Sequence, residues 1–226
     1  MSDERPQIIA QKRFLEYKTE LERLDLKGRF DYIFETNLWG DDHSRSGVGS
    51  TLPETETLRR EIPALLQDLG ARSLLDIPCG DFGWLSLTEL GVDYTGADIV
   101  EALVARNTAR YGSANRRFVR LDLTADPLPA SDVVLCRDCL VHLSYSNIQR
   151  ALANGKRSGA KYFLTTSFPE VTGNGDIEDG DWRPLNFQLA PFGLPAPART
   201  IVENCIEAGG AYRDKSLCLW PAVELP

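Results

Sequence analysis

Ser73-Leu-Leu-Asp-Ile-Pro-Cys-Gly-Asp-Phe-Gly-Trp84 begins as a short apolar strand, places a carboxylate at its end, and passes into a tight turn. The turn carries two glycines that let backbone approach a ligand closely. Downstream the same grammar repeats. Tyr94-Thr-Gly-Ala-Asp98, Arg117-Phe-Val-Arg-Leu-Asp122, Asp132-Val-Val-Leu-Cys136 and Lys161-Tyr-Phe-Leu-Thr-Thr166 read as four further strands. Helical segments separate most pairs, most clearly Val100 to Tyr111 and Tyr145 to Ser158. Strand and helix in alternation make a parallel sheet, covered on both faces and wound right-handed. Ile201 to Ile206 and Leu217 to Ala222, separated by Gly209-Gly210 and Arg213-Asp214, read as a closing pair of strands.

Upstream, Pro6 to Leu26 carries Ile9, Phe14, Leu21 and Leu24 among charged residues, the pattern of one amphipathic helix. An aromatic and turn-rich segment follows, from Phe30 through Trp39-Gly-Asp-Asp-His43 to Ser46-Gly-Val-Gly-Ser-Thr51. A helix is expected from about Pro53 to Leu69, closed by Gly70. The polar stretch 172–198 is too long for a simple connector, and loops of that length usually carry function.

Three acids, Asp76, Asp98 and Asp122, close three successive strands, so they face the crevice at the carboxyl edge of the sheet, the usual ligand position in open α/β folds. Asp98, about twenty residues after the turn, suits a ribose, whose two hydroxyls one carboxylate accepts. The spacing also admits a dinucleotide-binding oxidoreductase. That class prefers Gly-x-Gly-x-x-Gly, however, whereas this turn offers Pro78 and sets Asp81 where a pyrophosphate would lie.

Asp76-x-x-x-Gly80-x-x-Gly83 with Asp98 and Asp122 resembles the cofactor motifs of class I S-adenosylmethionine-dependent methyltransferases, and the closing strand pair resembles the antiparallel end of that family's sheet. The Asp-x-Pro-Cys-Gly-Asp-Phe-x-Trp variant looks like a bacterial small-molecule and glycan subgroup. The resemblance spans about Pro53 to Ala222. It implies an α/β, Rossmann-like, seven-stranded, mostly parallel sheet with helices on both faces and an N-terminal helical lid. The chain is then a single domain, 1–226, with the lid at 1–52 and a substrate-side loop at 172–198. The cofactor is S-adenosyl-L-methionine. By the likeness, Asp76, Pro78, Gly80 and Trp84 pass its methionine part, Asp98 and Ile99 bind the ribose, and Asp122 with Leu123 flanks the adenine. Arg137, and Arg59 from the helix after the lid, join the cofactor set, Arg59 by pairing with a carboxylate. Arg59 on a solvated helix face is the equal alternative. Where the family's turn has its first glycine this chain has Pro78, which lacks an N–H.

After the fourth strand, Cys136-Arg-Asp-Cys-Leu-Val-His-Leu-Ser144 brings Arg137, Asp138 and His142 to the edge where a methyl acceptor lies. Methyl transfer is an in-line displacement, so the enzyme mainly holds the acceptor, and a base matters only when a hydroxyl must lose its proton. His142 suits that role; Asp138 is the other candidate, as base or as the group that orients His142. His142 as a packing or capping residue is nearly as well supported. Cys136-x-x-Cys139 lacks the second ligand pair that zinc needs, so no metal is expected and the cysteines read as small buried side chains. In the late loop, Trp182, Arg183 and Asn186 combine aromatic and hydrogen-bonding groups suited to a carbohydrate, or form solvated surface.

With 226 residues and 42% apolar content the chain buries a full core. A net charge of −8 argues against nucleic acid as substrate. Five cysteines, an odd number, and no apolar run of membrane length suit a reducing cytoplasmic setting without a membrane. The expected reaction is methyl transfer to a small molecule or glycan, foremost O-methylation of a sugar hydroxyl. N-methylation, a small acid or phosphonate acceptor, and a catalytically inactive cofactor-binding module are the alternatives. Oligomeric state is not written in the sequence.

Overall fold

A computed structural model describes residues 5–42 and 44–226; His43, within the expected lid, and residues 1–4 lie outside the described residues. Seven strands form one sheet: β1 Ser73–Asp76, β2 Asp93–Asp98, β3 Arg116–Arg120, β4 Val133–Cys136, β5 Tyr162–Ser167, β6 Arg199–Val202 and β7 Ser216–Pro221. The order is β3-β2-β1-β4-β5-β7-β6. The first five strands run parallel, and β7 is antiparallel to both of its neighbours. This is the expected Rossmann-like, mostly parallel seven-stranded sheet.

Strand residues alternate between two cores, as a pleat of period two requires. Leu75, Ala97, Val134, Cys136, Phe163, Cys218 and Trp220 belong to one cluster. Leu74, Tyr94, Phe118, Val133, Leu135, Leu164, Leu217 and Leu219 belong to the other. The second face is covered by α4, Glu56–Asp68, through Leu58, Ile62, Leu65 and Leu66, and by Val104 of α5, Glu101–Tyr111. The first is covered by Ile148, Ala151 and Leu152 of α6, Tyr145–Arg157. Gly70 ends α4 in the left-handed region at φ 59, as its position suggested.

The N-terminal region departs from the single expected helix. It breaks into α1 Ile9–Glu16, α2 Lys18–Leu21 and α3 Leu26–Thr36. Asp25 starts the third: its carboxylate accepts the Gly28 N–H at 2.8 Å and caps the new helix. The aromatic and turn-rich segment that begins at Phe30 is therefore helical as far as Thr36, and its Ile33 packs with Phe14, Leu21 and Leu38.

Residues 172–196 carry no regular secondary structure, but they do not stand in solvent. Leu185, Phe187, Phe192 and Leu194 are core members beside Trp220. The loop closes the sheet where the connection from β5 to β6 supplies no long helix. Among the described residues, no helix is long and apolar enough to cross a membrane.

Candidate functional site

The carboxyl ends of β1, β2 and β4, the turn after β3 and the N-terminal helices enclose a cleft with about 1060 Å³ of space between its walls, open solvent included. Asp76, Asp98 and Asp122 all line it. Asp98 is held at both oxygens: it accepts the Gly80 N–H at 3.1 Å and the Val100 N–H at 3.0 Å. Burial nevertheless pushes its carboxyl up to about 6, against the pull of these hydrogen bonds. Asp76 accepts the Tyr94 hydroxyl at 2.6 Å, and burial lifts it to about 7. Asp122 turns back on its own loop and accepts the Thr124 N–H and hydroxyl, both at 2.7 Å.

The glycine turn is anchored on every side. Ile77 N–H donates to Leu135 O and Cys79 N–H to Ala97 O, while Asn107 on α5 donates to Gly80 O at 2.8 Å. Gly80 sits at φ 51, and a Cβ there would collide with the Ser46 hydroxyl. Only glycine satisfies both constraints. Ser46 belongs to the loop that closes the cleft: its hydroxyl accepts the Asp81 N–H at 2.9 Å, and Asp81 accepts the Ser44 hydroxyl at 2.8 Å and the Arg45 N–H at 3.0 Å. The lid is thus latched onto the turn through Asp81.

Behind the turn lies a buried charge cluster. Arg137 donates to Glu203 at 2.7 Å and to Gly49 O at 2.7 Å, approaches Asp138 at 3.2 Å, and lies over the Trp84 ring. Lys215 meets Asp138 at 2.6 Å. Burial alone would raise the Asp138 carboxyl, but Arg137 and Lys215 outweigh it and hold it down to about 2. Asp138 is thus held as the carboxylate partner of Arg137 and Lys215, which makes it less available as a proton acceptor.

His142 occupies the wall between this cleft and a second cavity bounded by α1, the lid and the region before β7. It stacks on Trp39 with ring centroids 4.5 Å apart. Its Nδ1 lies 2.8 Å from Asp181 O. A carbonyl only accepts, so Nδ1 carries the proton and Nε2 keeps its lone pair. Burial lowers the imidazole to about 4, so it is neutral at physiological pH.

Pro78, Gly80, Trp84, Ile99, Leu123 and Arg137 also line the cleft. Four other expected residues sit differently. Arg59 donates to Leu52 O at 3.1 Å and does not line the cleft. Arg183, 7% exposed, donates to the carbonyls of Leu140 and Leu143, and Asn186, 6% exposed, to those of Pro169 and Val171. These two tie the late loop to the body; the loop must satisfy its buried carbonyls, which corrects their reading as substrate contacts. Trp182 is also buried, among Phe168 and Tyr212, but one edge borders the second cavity.

Sequence reasoning missed Glu203 and Lys215, which flank the closing hairpin 65 or more residues after their partners. It also missed Tyr94, Asn107 and the roles of Ser44 and Ser46. The five cysteines are free, and among the described residues no group of side chains is arranged to hold a metal ion.

A family model described as "Methyltransferase domain" matches residues 75–160. No curated protein matches the sequence. Among solved structures, the methyltransferase domain of bacterial CtHen1-C superposes with a TM-score of 0.55 at 14% identity, over 76% of this chain and 98% of that one. The Burkholderia thailandensis 1,6-didemethyltoxoflavin-N1-methyltransferase, with 1,6-didemethyltoxoflavin and S-adenosylhomocysteine bound, superposes with a TM-score of 0.52 at 21% identity, over 71% of this chain and 76% of that one. The bacterial CtHen1-CN methyltransferase domain is matched with a TM-score of 0.45 at 15% identity, over 50% of this chain. The chain spans 66% of that structure's length.

Proposed function

We propose that this chain, of which residues 75–160 match a methyltransferase domain, moves a methyl group from S-adenosylmethionine onto a hydroxyl of a small-molecule acceptor, with His142 as the base. One observation carries this reading: His142 and Trp39 are shared between a cleft edged by Asp76, Asp98 and Asp122 and a second cavity beside it.

The cleft fits S-adenosylmethionine by its donor set. Acids at three neighbouring strand ends suit a molecule that combines a sulfonium, an ammonium and a ribose, and they disfavour the phosphates of a dinucleotide. When bound, the cofactor supplies an electrophilic methyl carbon. Asp98, pinned by two backbone N–H groups, would accept from the ribose, and Asp76 from the ammonium. Trp84 and Leu123 present apolar surface. The latched lid excludes water and holds the acceptor in line, which is the larger part of the catalytic effect. His142 Nε2 receives the hydroxyl proton as the oxygen attacks, while Asp181 O keeps the ring in the required tautomer.

The carbohydrate form of this reading loses its support from the late loop, because Trp182, Phe187 and Phe192 are buried core rather than exposed platforms. N-methylation remains open for an amine that arrives neutral and needs no base. Calorimetry with S-adenosylhomocysteine tests the cofactor half. No binding at high micromolar concentration, beside clear binding of NAD, would overturn it. Release of S-adenosylhomocysteine in an acceptor panel of phenols, sugars, amines and phosphonates tests the transfer half.

A further inference from the structure

Resting on the proposed methyl transfer, we infer that the second cavity is the acceptor site and that it takes a small aromatic hydroxyl compound, a phenol, rather than a sugar. The chamber lies against α1, the lid and the segment before β7, and holds about 530 Å³ between its walls, open solvent included.

Its character is apolar along one side. Ile8 and Ala10 of the N-terminal segment face Phe168 and Trp182, all of them buried. Tyr212 adds a ring whose hydroxyl donates to Pro6 O at 2.7 Å. Its polar lining is Ser46, Glu207, the pair Asp138 and Lys215 at 2.6 Å, and His142, which faces both cavities. A pyranose needs hydrogen-bonding partners around its whole rim, and a buried hydroxyl left without one carries a desolvation penalty. A flat ring with one hydroxyl needs fewer polar partners, and the rings of Phe168, Trp182 and Tyr212 with Ile8 and Ala10 supply the apolar surface it packs against.

The acid–base match points the same way. A phenol, with a pKa of about 10, gives up its proton far more readily than an alkyl hydroxyl, whose acidity resembles that of water. Against an imidazole whose basicity burial has lowered, proton transfer from a phenol is therefore less uphill than from a sugar. In the step, the phenol oxygen forms a bond to the methyl carbon as the carbon–sulfur bond breaks. The bonding pair leaves with sulfur as the neutral thioether, and the phenolic proton passes to His142 Nε2 and on to solvent.

The test incubates the protein and S-adenosylmethionine with catechol, 4-hydroxybenzoate or methyl glucoside, and measures S-adenosylhomocysteine and O-methyl product by mass spectrometry. A phenol should exceed methyl glucoside by at least about a hundredfold in kcat/KM. Ala10→Leu, which intrudes on the chamber, should raise the phenol KM about tenfold or more and leave S-adenosylhomocysteine affinity unchanged. Calorimetric binding of catechol to the S-adenosylhomocysteine-loaded wild-type protein gives a readout that does not depend on that variant folding. Equal or better turnover of methyl glucoside overturns the inference, as does catechol failing to bind or react while S-adenosylhomocysteine binds normally. Failure of S-adenosylhomocysteine itself to bind instead overturns the methyl-transfer reading beneath it.

Discussion

Acid should strip the cofactor from this protein, and the two most buried acids of the cleft set the size of the effect. In the ligand-free protein burial raises Asp98 to about 6 and Asp76 to about 7. Accepting hydrogen bonds from a ribose and an ammonium favours the ionised form of each. Between pH 7 and pH 5, the requirement to ionise Asp98 weakens binding by about tenfold, and the same requirement at Asp76 by about fiftyfold. Calorimetric titration of S-adenosylhomocysteine across this range measures the slope directly. Asp98→Asn should bind more weakly at pH 7 and lose the Asp98 share of the pH dependence. Stability of the ligand-free protein runs in the opposite sense. Each carboxyl is raised above its ordinary value of 3.8, so the folded state holds a proton that the unfolded state has released. That contribution is complete below about pH 4 and is lost as pH rises through 6 to 7, roughly 3 kcal/mol for Asp98 and roughly 4 kcal/mol for Asp76 at about 1.36 kcal/mol per pH unit of separation. The ligand-free melting temperature should fall from pH 5 to pH 8, and saturating S-adenosylhomocysteine should offset the fall. Affinity that is flat with pH, or tighter at pH 5, would refute the assignment of these acids to the cofactor.

His142→Ala should lower kcat by about 10² to 10⁴ with S-adenosylhomocysteine affinity nearly intact. Wild-type kcat at saturating substrates should be flat from pH 6 to 8, because the imidazole protonates only near about 4; a rise through pH 6.5 would contradict its buried, neutral state. Arg137→Ala leaves Glu203, 3% exposed, without its main cation and should destabilise the fold by about 3–5 kcal/mol in chemical denaturation; Arg137→Leu with Glu203→Leu should cost much less than the sum of the single changes. Asp81→Ala removes the lid latch, a loss of about 1.5–3 kcal/mol per charged hydrogen bond, and should appear as faster release of S-adenosylhomocysteine in stopped-flow. An unchanged release rate would mean that the lid is held elsewhere.

The sheet was legible because its strands announce themselves locally: each apolar run is short, and the acids at 76, 98 and 122 punctuate the ends. Asp98 and Asp76 were therefore readable as cleft residues from position alone. The late loop misled for a physical reason. Trp182, Phe187 and Phe192 stand among carboxylates and glycines in sequence, and nothing local tells a ring that covers a sheet from one that awaits a ligand. Arg183 likewise looks like a recognition residue until its three carbonyl partners are seen. The break at Asp25 was readable as a cap but was hidden inside a longer amphipathic pattern. Glu203 and Lys215 depend on a hairpin that returns across the sheet, a non-local fact that no window of sequence contains.

Segments far apart in sequence meet at the acceptor chamber. Arg5 pairs with Asp214 at 2.6 Å, across 209 positions, and Tyr212 reaches Pro6 across 206. Distance along the gene is therefore a poor guide to independence: a substitution near residue 8 and one near residue 212 share a wall, and their effects on acceptor choice will not add. Changing what this protein methylates becomes a problem of paired edits around residues 8 and 212, with the motif-bearing segment between them left alone.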